Sequence, residues 1–423
     1  MGRKVLITGL GLAAPLGLDV EESWEKALNG TSGIKRLDPR LGKCPIGVAG
    51  QVSSEDWDRI CRAFPEEAES EGERRTLFAL WAAEKARSDA CLENRFGERS
   101  RFGVAFAAGL GIYRLEDVHC WVGEDGEFDS VRFARESGRV HRESIIRHNS
   151  SRPAEIISKR FCLRGSNATI TSACASATQA IGLAFRTIQR GEADLVMAGG
   201  SDSMLDPWGS MGFVLLGSTA MSQGDETLCR PFDRKRSGLV IGEGAGVVVL
   251  EDESHALKRG ARVYAEVAGY ASTIDAYRLT APHPEGSGAE QAMRRALADA
   301  GIDPGEIDYI NAHGTSTKLN DIVETIAIRK VFGEAANRVA VSSSKSLIGH
   351  LMAAAGGPEF VFTTLSVSRD RIHPTINLTS PDPKCDLDYV PGVGRSVRVR
   401  AALSNSFGFG GQNATIVVRK YAG

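Results

Sequence analysis

Cys174 lies in TSACASA, where the β-rich run NATITSA (167–173) gives way to the helical pattern ASATQAIGLAFRTIQR. A thiol at a helix start faces free backbone N–H groups and a partial positive charge, and both favour a thiolate. An isolated Cys among small residues is ordinarily a buried apolar side chain. Its company elsewhere in the chain argues otherwise: His313 in NAHGTST, His350 in SSSKSLIGH, and the glycine loop NSFGFGGQN at 405–413. A nucleophile, two imidazoles and a loop able to cradle an anion together fit acyl transfer.

A thiolate that attacks an acyl thioester needs a lowered pKa, a hole for the tetrahedral oxyanion and space for the chain. The helix after Cys174 is expected to supply the first. The loop at 405–413 supplies the second, because glycines let backbone N–H groups converge, and losing one such donor costs roughly 3 kcal/mol in the transition state. Small residues after Cys174 leave room for substrate. His313 follows the apolar run IDYIN and so protrudes at a strand end, while His350 precedes LMAAAGG in a turn entering a small-residue helix. Lys345, five residues before His350, reads as a buried cation with Asp321 and Glu324 of LNDIVETIAIRK as candidate carboxylate partners. The alternative is a surface Lys beside solvated acids.

These residues must be held by elements that the rest of the chain provides. Glycine-rich β runs (KVLITGLG, RFGVAFAAGLG, ADLVMAGGSDS, GAGVVVLEDE) alternate with helical segments, the pattern of a layered α/β protein. RVYAEVAGYAST (262–273) echoes KVLITGLGLAAP near the start, and DYINAHGTS (308–316) echoes NATITSACAS (167–176). Two related halves are therefore expected, 1–257 with the Cys and 258–423 with both His and the glycine loop, joined near 252–262. The least regular stretch, 111–162, reads as a charged, solvated excursion with a helix or two.

The 423 residues are 42% hydrophobic and 25% charged, ordinary for a globular protein, and the net charge of −2 leaves no footprint for nucleic acid or an anionic membrane. No run of eighteen apolar residues appears, so no membrane span is expected, and the amino terminus reads as a core strand instead of a signal peptide. The eight cysteines are scattered without CxxC pairs, which argues against a disulfide framework or structural zinc and for a reducing, cytoplasmic location.

Taken together, VLITGLGLAAPLG, CRPFDRKRSGLVIGEGAGVVVLE, NAHGTSTKLND and NSFGFGGQN resemble the β-ketoacyl-acyl carrier protein synthases, in the elongating type II branch of the thiolase superfamily. The resemblance covers almost the whole chain. It implies a thiolase-like, five-layered αβαβα fold of two pseudo-symmetric halves, and a dimer. It also implies a decarboxylating condensation that extends acyl chains of fatty acid or polyketide type, with acyl carrier protein as partner and no cofactor beyond the carrier's phosphopantetheine. By the resemblance, Cys174 carries the acyl chain, and His313 and His350 hydrogen-bond the malonyl thioester carbonyl. The Cys174 and Phe409 backbone N–H groups form the oxyanion hole, and Lys345, held by Asp321 and Glu324, orders the two-His site. Thr315 and Thr317 match pantetheine contacts, Leu110 and Phe213 the acyl-pocket lining, and Phe407 and Phe409 the substrate side and gate of the glycine loop. Asn311, Glu359, Ser404 and Asn413 match a monovalent-cation site of some relatives.

Three departures from the family pattern stand out. Ile348 replaces the usual Thr before the Gly-His pair, which puts the hydrogen bonding around His350 in question. Gly217 replaces an arginine that grips the carrier protein; Arg74 and Arg75 are candidate substitutes, though as a helix-surface pair they read as solvated. Residues 111–162 depart from the housekeeping sequence, which points to a specialised substrate. The alternative within the resemblance is a non-catalytic, chain-length-determining partner subunit of a heterodimer, against which the retained Cys174 argues; a homodimer and a heterodimer both stay open. A thiolase or initiating synthase is disfavoured by the Gly-His motif at 349–350.

Overall fold

The computed structural model describes residues 2–92, 99–111, 119–140, 146, 148–222 and 224–423. Its first strand, β1 (Val5–Ala13), is buried at every position, the near-continuous apolar run of a strand covered on both faces. The first half continues with β2 (Phe102–Ala108), β3 (Asn167–Ile170), β4 (Leu195–Asp202) and β5 (Gly244–Asp252). The second half holds β6 (Ala265–Ile274), β7 (Tyr309–Asn311), β8 (Ala340–Ser342), β9 (Ala401–Gly408) and β10 (Gln412–Arg419).

Across the sheet the first half runs β1-β5-β4-β2-β3 and the second β6-β10-β9-β7-β8. Both halves thus follow first, fifth, fourth, second, third. The pairings repeat as well: two antiparallel ladders and then two parallel ones. The halves join edge to edge where β1 pairs with β6, at Val5 opposite Val267. The expected boundary at 257–258 falls in a short helix, Glu253–Lys258, that links β5 to β6.

Helices complete five layers. α1 (Arg74–Asp89) packs on β1 and β5, and α2 (Arg152–Phe161) on β2 and α1, to form one outer layer. α3 (Ser176–Gln189) packs on β2 and β4 and also on β6 and β10. Pro207–Leu215, hereafter α4, lies between β4 and β5 of the first half; in the second half α5 (Ser287–Ala300) and α6 (Lys318–Phe332) form the opposite outer layer. α7 (Gly356–Arg369) packs on α3, β5 and β9; its buried residues run without a break from Gly356 to Val367, as befits a helix enclosed on all sides. α3 and α7 are therefore the middle layer, and the architecture is the αβαβα arrangement of two similar halves that the resemblance implies.

One sequence echo matches the topology and the other does not. β1 and β6 hold equivalent places, as KVLITGLGLAAP and RVYAEVAGYAST suggest. The expected match of 308–316 with 167–176 is corrected: β7 holds the place of β2, and β8 holds that of β3. A β run ending in small polar residues marks both parallel strands of each half, so local sequence cannot tell them apart. The counterpart of the Cys174 turn is the turn after β8, which carries Lys345.

Of the 111–162 stretch, 112–118, 141–145 and 147 lie outside the described residues. Residues 122–139 are largely exposed, with Trp121 buried against Phe133 at a ring-centroid distance of 5.0 Å, and the segment ends in α2. No described helix is long and apolar enough to cross a membrane.

Candidate active site

Strand ends converge on one cavity. Cys174 follows β3 by four residues, His313 follows β7 by two, Lys345 follows β8 by three, and Phe409 follows β9 directly. All four strands are parallel members of their half-sheets, whose carboxyl ends are the usual place for a site in such folds. The cavity, about 470 Å³, is lined by Cys174, His313, His350, Thr315, Thr317 and both phenylalanines of the glycine loop.

The nucleophile turn is held tightly. Ala173 has φ +49°, a left-handed conformation uncommon for a residue with a side chain. The Ser176 hydroxyl donates to the Ala173 carbonyl (2.6 Å) and accepts from the Ser172 N–H (2.8 Å), which fixes the elbow. The Phe409 backbone N–H donates to the Cys174 sulfur. Gly408 makes that approach close: a Cβ there would lie 2.9 Å from the Cys174 nitrogen.

The expected lowering of the Cys174 pKa is corrected. Burial pushes the thiol up to about 11, outweighing the opposing pull of Lys345 and the Phe409 N–H. Cys174 sits two residues ahead of α3 and is 7% exposed, so loss of hydration dominates over the helix start.

Both histidines are held as neutral donors. Burial and the nearby Lys345 ammonium drive each well below the ordinary imidazole range, with His350 adding to the effect on His313. His350 Nδ1 accepts from the Met352 N–H (3.0 Å), and His313 Nδ1 lies 3.3 Å from Lys345 Nζ, which has only protons to offer. Each imidazole therefore carries its proton on Nε2. The rings stand edge to face with centroids 5.4 Å apart, and one ligand atom each from Cys174, His313 and His350 falls within 4.8 Å of the others. Phe407 flanks His313 with a centroid distance of 6.0 Å.

The Ile348 departure is accommodated by the backbone. Ile348 is buried in the apolar core, while the His350 N–H donates to Val240 O (2.7 Å) and its carbonyl accepts from Gly242 (2.8 Å). His350 is thus fixed without a neighbouring hydroxyl.

The expected partners of Lys345 are also corrected. Its ammonium bonds Glu359, and both side chains are almost fully buried. Burial lifts the Glu359 carboxyl to about 7 against the attraction of Lys345. Asp321 instead faces Arg236 (3.4 Å) and accepts from the Phe232 N–H (2.8 Å); burial raises it to about 6. Glu324 accepts from the His313 and Gly314 N–H groups, each at 2.8 Å, and burial raises it to about 7. It positions His313 through the backbone. The Thr315 and Thr317 hydroxyls bond each other at 2.8 Å, and Thr317 caps α6.

Other expectations land elsewhere. Leu110 is 71% exposed and outside the cavity wall, and Phe213 packs half-buried with Met204, Leu205 and Met352 in a satellite cluster. Arg74 and Arg75 are not a solvated pair. Arg75 is 2% exposed, bonded to Glu73 and the Gly109 carbonyl, and Arg74 bonds Glu243 (2.8 Å) while stacking on Trp57. Gly217 lies at the cavity mouth.

Of the four residues matched to a cation site, three present buried oxygens without a hydrogen-bond partner among the described residues: Asn311 Oδ1, Glu359 Oε2 and Ser404 Oγ. Ser404 pairs with Asn311 across the β9–β7 ladder, and Asn311 Nδ2 donates to the Glu359 carbonyl (3.0 Å). Such oxygens suit a hard cation. The Asn413 amide is turned away, donating to Asp275 (2.8 Å).

Sequence reasoning passed over Asp275 and Asp202. Asp275 accepts from Asn413 and the His283 N–H (2.9 Å), and its own N–H donates to Gly411 O (2.9 Å), tying residues 275–283 to the glycine loop. Asp202 accepts from the Ala353 N–H (2.9 Å), anchoring the turn after His350 to β4; burial raises it to about 6. Neither stands in a motif, and both act through backbone groups distant in sequence.

Comparison with known proteins gives a consistent result. The family model "Beta-ketoacyl synthase, N-terminal domain" matches residues 2–256, and "Beta-ketoacyl synthase, C-terminal domain" matches 264–379. The chain is 39% identical to 3-oxoacyl-[acyl-carrier-protein] synthase 2 of Staphylococcus aureus (strain COL), over 99% of each chain. It resembles a solved structure described as a type II PKS acyl-carrier protein in complex with its ketosynthase bound to the hexaketide. That match has 34% identity and a TM-score of 0.87, with all of both chains covered. It also resembles the ishigamide ketosynthase/chain length factor, at 30% identity and a TM-score of 0.83 over all of both chains.

Proposed function

Because this chain belongs to the β-ketoacyl synthase family, we propose that it is a 3-oxoacyl-acyl carrier protein synthase acting through Cys174, His313 and His350. The observation that supports this most directly is their convergence: a buried thiol and two Nε2–H donors with ligand atoms within 4.8 Å of one another.

In the first step the Cys174 sulfur attacks the thioester carbonyl of an acyl group on the carrier's phosphopantetheine. The oxyanion is received by the Cys174 and Phe409 N–H groups. The C–S bond to the carrier breaks, and the thiol proton leaves on the carrier's sulfur. Malonyl-carrier protein then binds with its thioester carbonyl against His313 and His350. The bond to its carboxylate breaks, carbon dioxide departs, and the electron pair forms an enolate whose oxygen is held by the two Nε2–H groups. Two neutral donors suit this better than one general base, because the charge develops on oxygen. The enolate carbon attacks the acyl-Cys174 carbonyl, the new C–C bond forms, and the departing Cys174 sulfur takes up a proton. The product is a 3-oxoacyl-carrier protein of fatty acid or polyketide type.

The supporting residues divide by contact. Lys345, bonded to Glu359, keeps His313 Nδ1 occupied; Glu324 holds the His313 turn; Thr315 and Thr317 offer hydroxyls to the pantetheine arm. Phe407 and Phe409 flank the acyl end. A monovalent cation would sit against the unpartnered oxygens of Asn311, Glu359 and Ser404. β3 is an edge strand, and Leu110, Trp208, Met211 and Leu215 are exposed apolar residues, which supports pairing with a second chain of the same fold. In such a dimer Leu110 gains cover that one chain does not give it. The eight free cysteines support a reducing, cytoplasmic setting.

Cys174→Ala tests the reading. Condensation is lost, while decarboxylation of malonyl-carrier protein continues because the histidine pair is intact. Chain extension at the native rate by this variant would refute it. The retained nucleophile also argues against a purely chain-length-setting subunit.

A further inference from the structure

His350 donates from Nε2 only while its Nδ1 is held as an acceptor, and the group that holds it is the Met352 N–H (3.0 Å). That N–H is presented by a strained turn. Met352 has φ +47°, a left-handed conformation that a residue with a side chain keeps only where its surroundings impose it. On one side of the turn the His350 backbone is fixed to Val240 and Gly242. On the other side the tie is Asp202, whose Oδ2 accepts from the next N–H along the chain, that of Ala353 (2.9 Å). The Ala354 N–H closes the turn onto the Leu351 carbonyl (2.9 Å). One N–H thus sets the His350 proton, and its neighbour is pinned by a carboxylate from the other end of the sheet.

That carboxylate is itself immobile. Asp202 is 1% exposed at the end of β4, where it pairs with Gly244 of β5. Its Oδ1 accepts from the Ser203 N–H (2.9 Å), and the Ser203 hydroxyl donates to Glu243 (2.7 Å), to which Arg74 also donates (2.8 Å). Gly109, at the end of β2, lies against the carboxylate: a Cβ there would fall 2.5 Å from Oδ2 and 2.9 Å from Oδ1. The Gly109 carbonyl is held in turn by the buried Arg75 guanidinium (2.6 Å) and the Ser150 hydroxyl (2.9 Å). With both oxygens accepting, the carboxylate cannot rotate without leaving a buried N–H unpaired.

We propose that Asp202 is a positioning residue for decarboxylation: by fixing the Ala353 N–H it keeps Met352 in its left-handed conformation, and so keeps His350 in the tautomer that presents Nε2–H to the malonyl thioester carbonyl. The role rests on the condensing function given above. Without Asp202 the Met352 backbone relaxes toward negative φ, its N–H leaves Nδ1, and the imidazole proton is free to move there. Nε2 then turns a lone pair toward the oxygen on which the enolate charge develops. Acylation of Cys174 relies on other donors, the Cys174 and Phe409 N–H groups, so the effect is confined to one half-reaction. Because the enolate charge is absent from the bound substrate, the effect falls on kcat and not on KM.

The test uses the full-length protein and follows two half-reactions separately: carbon dioxide release from malonyl-carrier protein, and transfer of an acyl group to Cys174. Asp202→Leu closely matches the side chain's shape and removes both acceptors. Its kcat for decarboxylation is expected to fall at least about tenfold with KM within about twofold, while acylation stays within about threefold. Asp202→Asn keeps one oxygen for the Ala353 N–H and should recover most of the lost rate. Gly109→Ala leaves Asp202 in place and displaces only its carboxylate; it should slow decarboxylation about threefold or more, and it carries the test if Asp202→Leu does not fold. Native decarboxylation in Asp202→Leu, or in Gly109→Ala where that variant decides, would overturn the proposal. An equal loss in both half-reactions would overturn it as well, since Asp202 would then only support the fold. Cys174→Ala, run alongside, separates the two inferences: continued condensation there defeats the assigned function, whatever the Asp202 variants do.

Discussion

Gly408→Ala is the smallest change that separates acylation from decarboxylation. Gly408 has φ −114° and ψ 164°, an extended conformation that alanine adopts freely, so the substitution adds no backbone strain of its own. The added Cβ meets backbone, at 2.9 Å from the Cys174 nitrogen and 3.2 Å from the Ala175 nitrogen. Neither atom can swing aside like a side-chain tip. Restoring an ordinary contact requires the glycine loop and the nucleophile turn to part by about 0.5–1 Å. The next residue, Phe409, supplies one of the two oxyanion N–H groups, and Cys174 supplies the other.

Loss of one such donor costs about 3–4 kcal/mol, and displacements on the order of 1 Å commonly cost about a hundredfold in rate. Transfer of an acyl group to Cys174 is therefore expected to slow by about 10²-fold. Malonyl decarboxylation depends on His313 and His350, which the methyl group does not touch, and it should change by less than about threefold. The assay pairs mass spectrometry of acyl-Cys174 at short times with release of carbon dioxide from malonyl-carrier protein. Acylation within about threefold of wild type would refute the argument, and an equal loss in both half-reactions would show that the loop serves the histidines as well.

Two further outcomes follow from the site's electrostatics. With burial holding the Cys174 thiol near 11, its alkylation by iodoacetamide should rise about tenfold per pH unit from pH 7 to 10, since only the thiolate reacts; a plateau below pH 8.5 would show that the helix start prevails over burial. Lys345→Met leaves Glu359 buried without its cation and His313 Nδ1 without its neighbour, so thermal stability should fall by about 3–5 kcal/mol and decarboxylation by at least about tenfold; a variant with native melting temperature and decarboxylation rate would contradict the pairing.

How much of this was legible in the sequence depended on distance along the chain. Cys174, His313 and His350 each stand in a turn between a β run and small residues, and the order of elements alone carries such residues to strand ends. The partners were a different matter. Asp321 and Glu324 are acids close to the His313 motif, and local reading assigned them to Lys345. The fold gives that role to Glu359, fourteen residues beyond Lys345 on the helix that fills the middle layer. Asp321 and Glu324 turn instead to Arg236 and to the backbone of the His313 turn. A side chain's partner is set by which helix face meets which strand end, and that is decided by packing across layers. The misread echo has the same origin, because β7 and β3 look alike locally and differ only in their place in the sheet.

The corrected thiol pKa changes how the site does its work. A cysteine activated in advance would hold a thiolate in a cavity that also needs two neutral histidines, and a fixed negative charge among them would raise their affinity for protons. Burial prevents both at once: it keeps the Cys174 thiol protonated and the imidazoles uncharged, and the one cation, Lys345, is matched by Glu359. The resting site is thus close to neutral, with its N–H groups already aimed at places where no charge yet stands. Charge appears only as oxyanion or enolate, next to donors that need no reorganisation to receive it. The same burial that makes Cys174 a poor nucleophile in isolation keeps water from competing for those donors. It follows that Cys174 should react sluggishly with small alkylating agents yet readily with a thioester whose carbonyl oxygen reaches the Phe409 N–H.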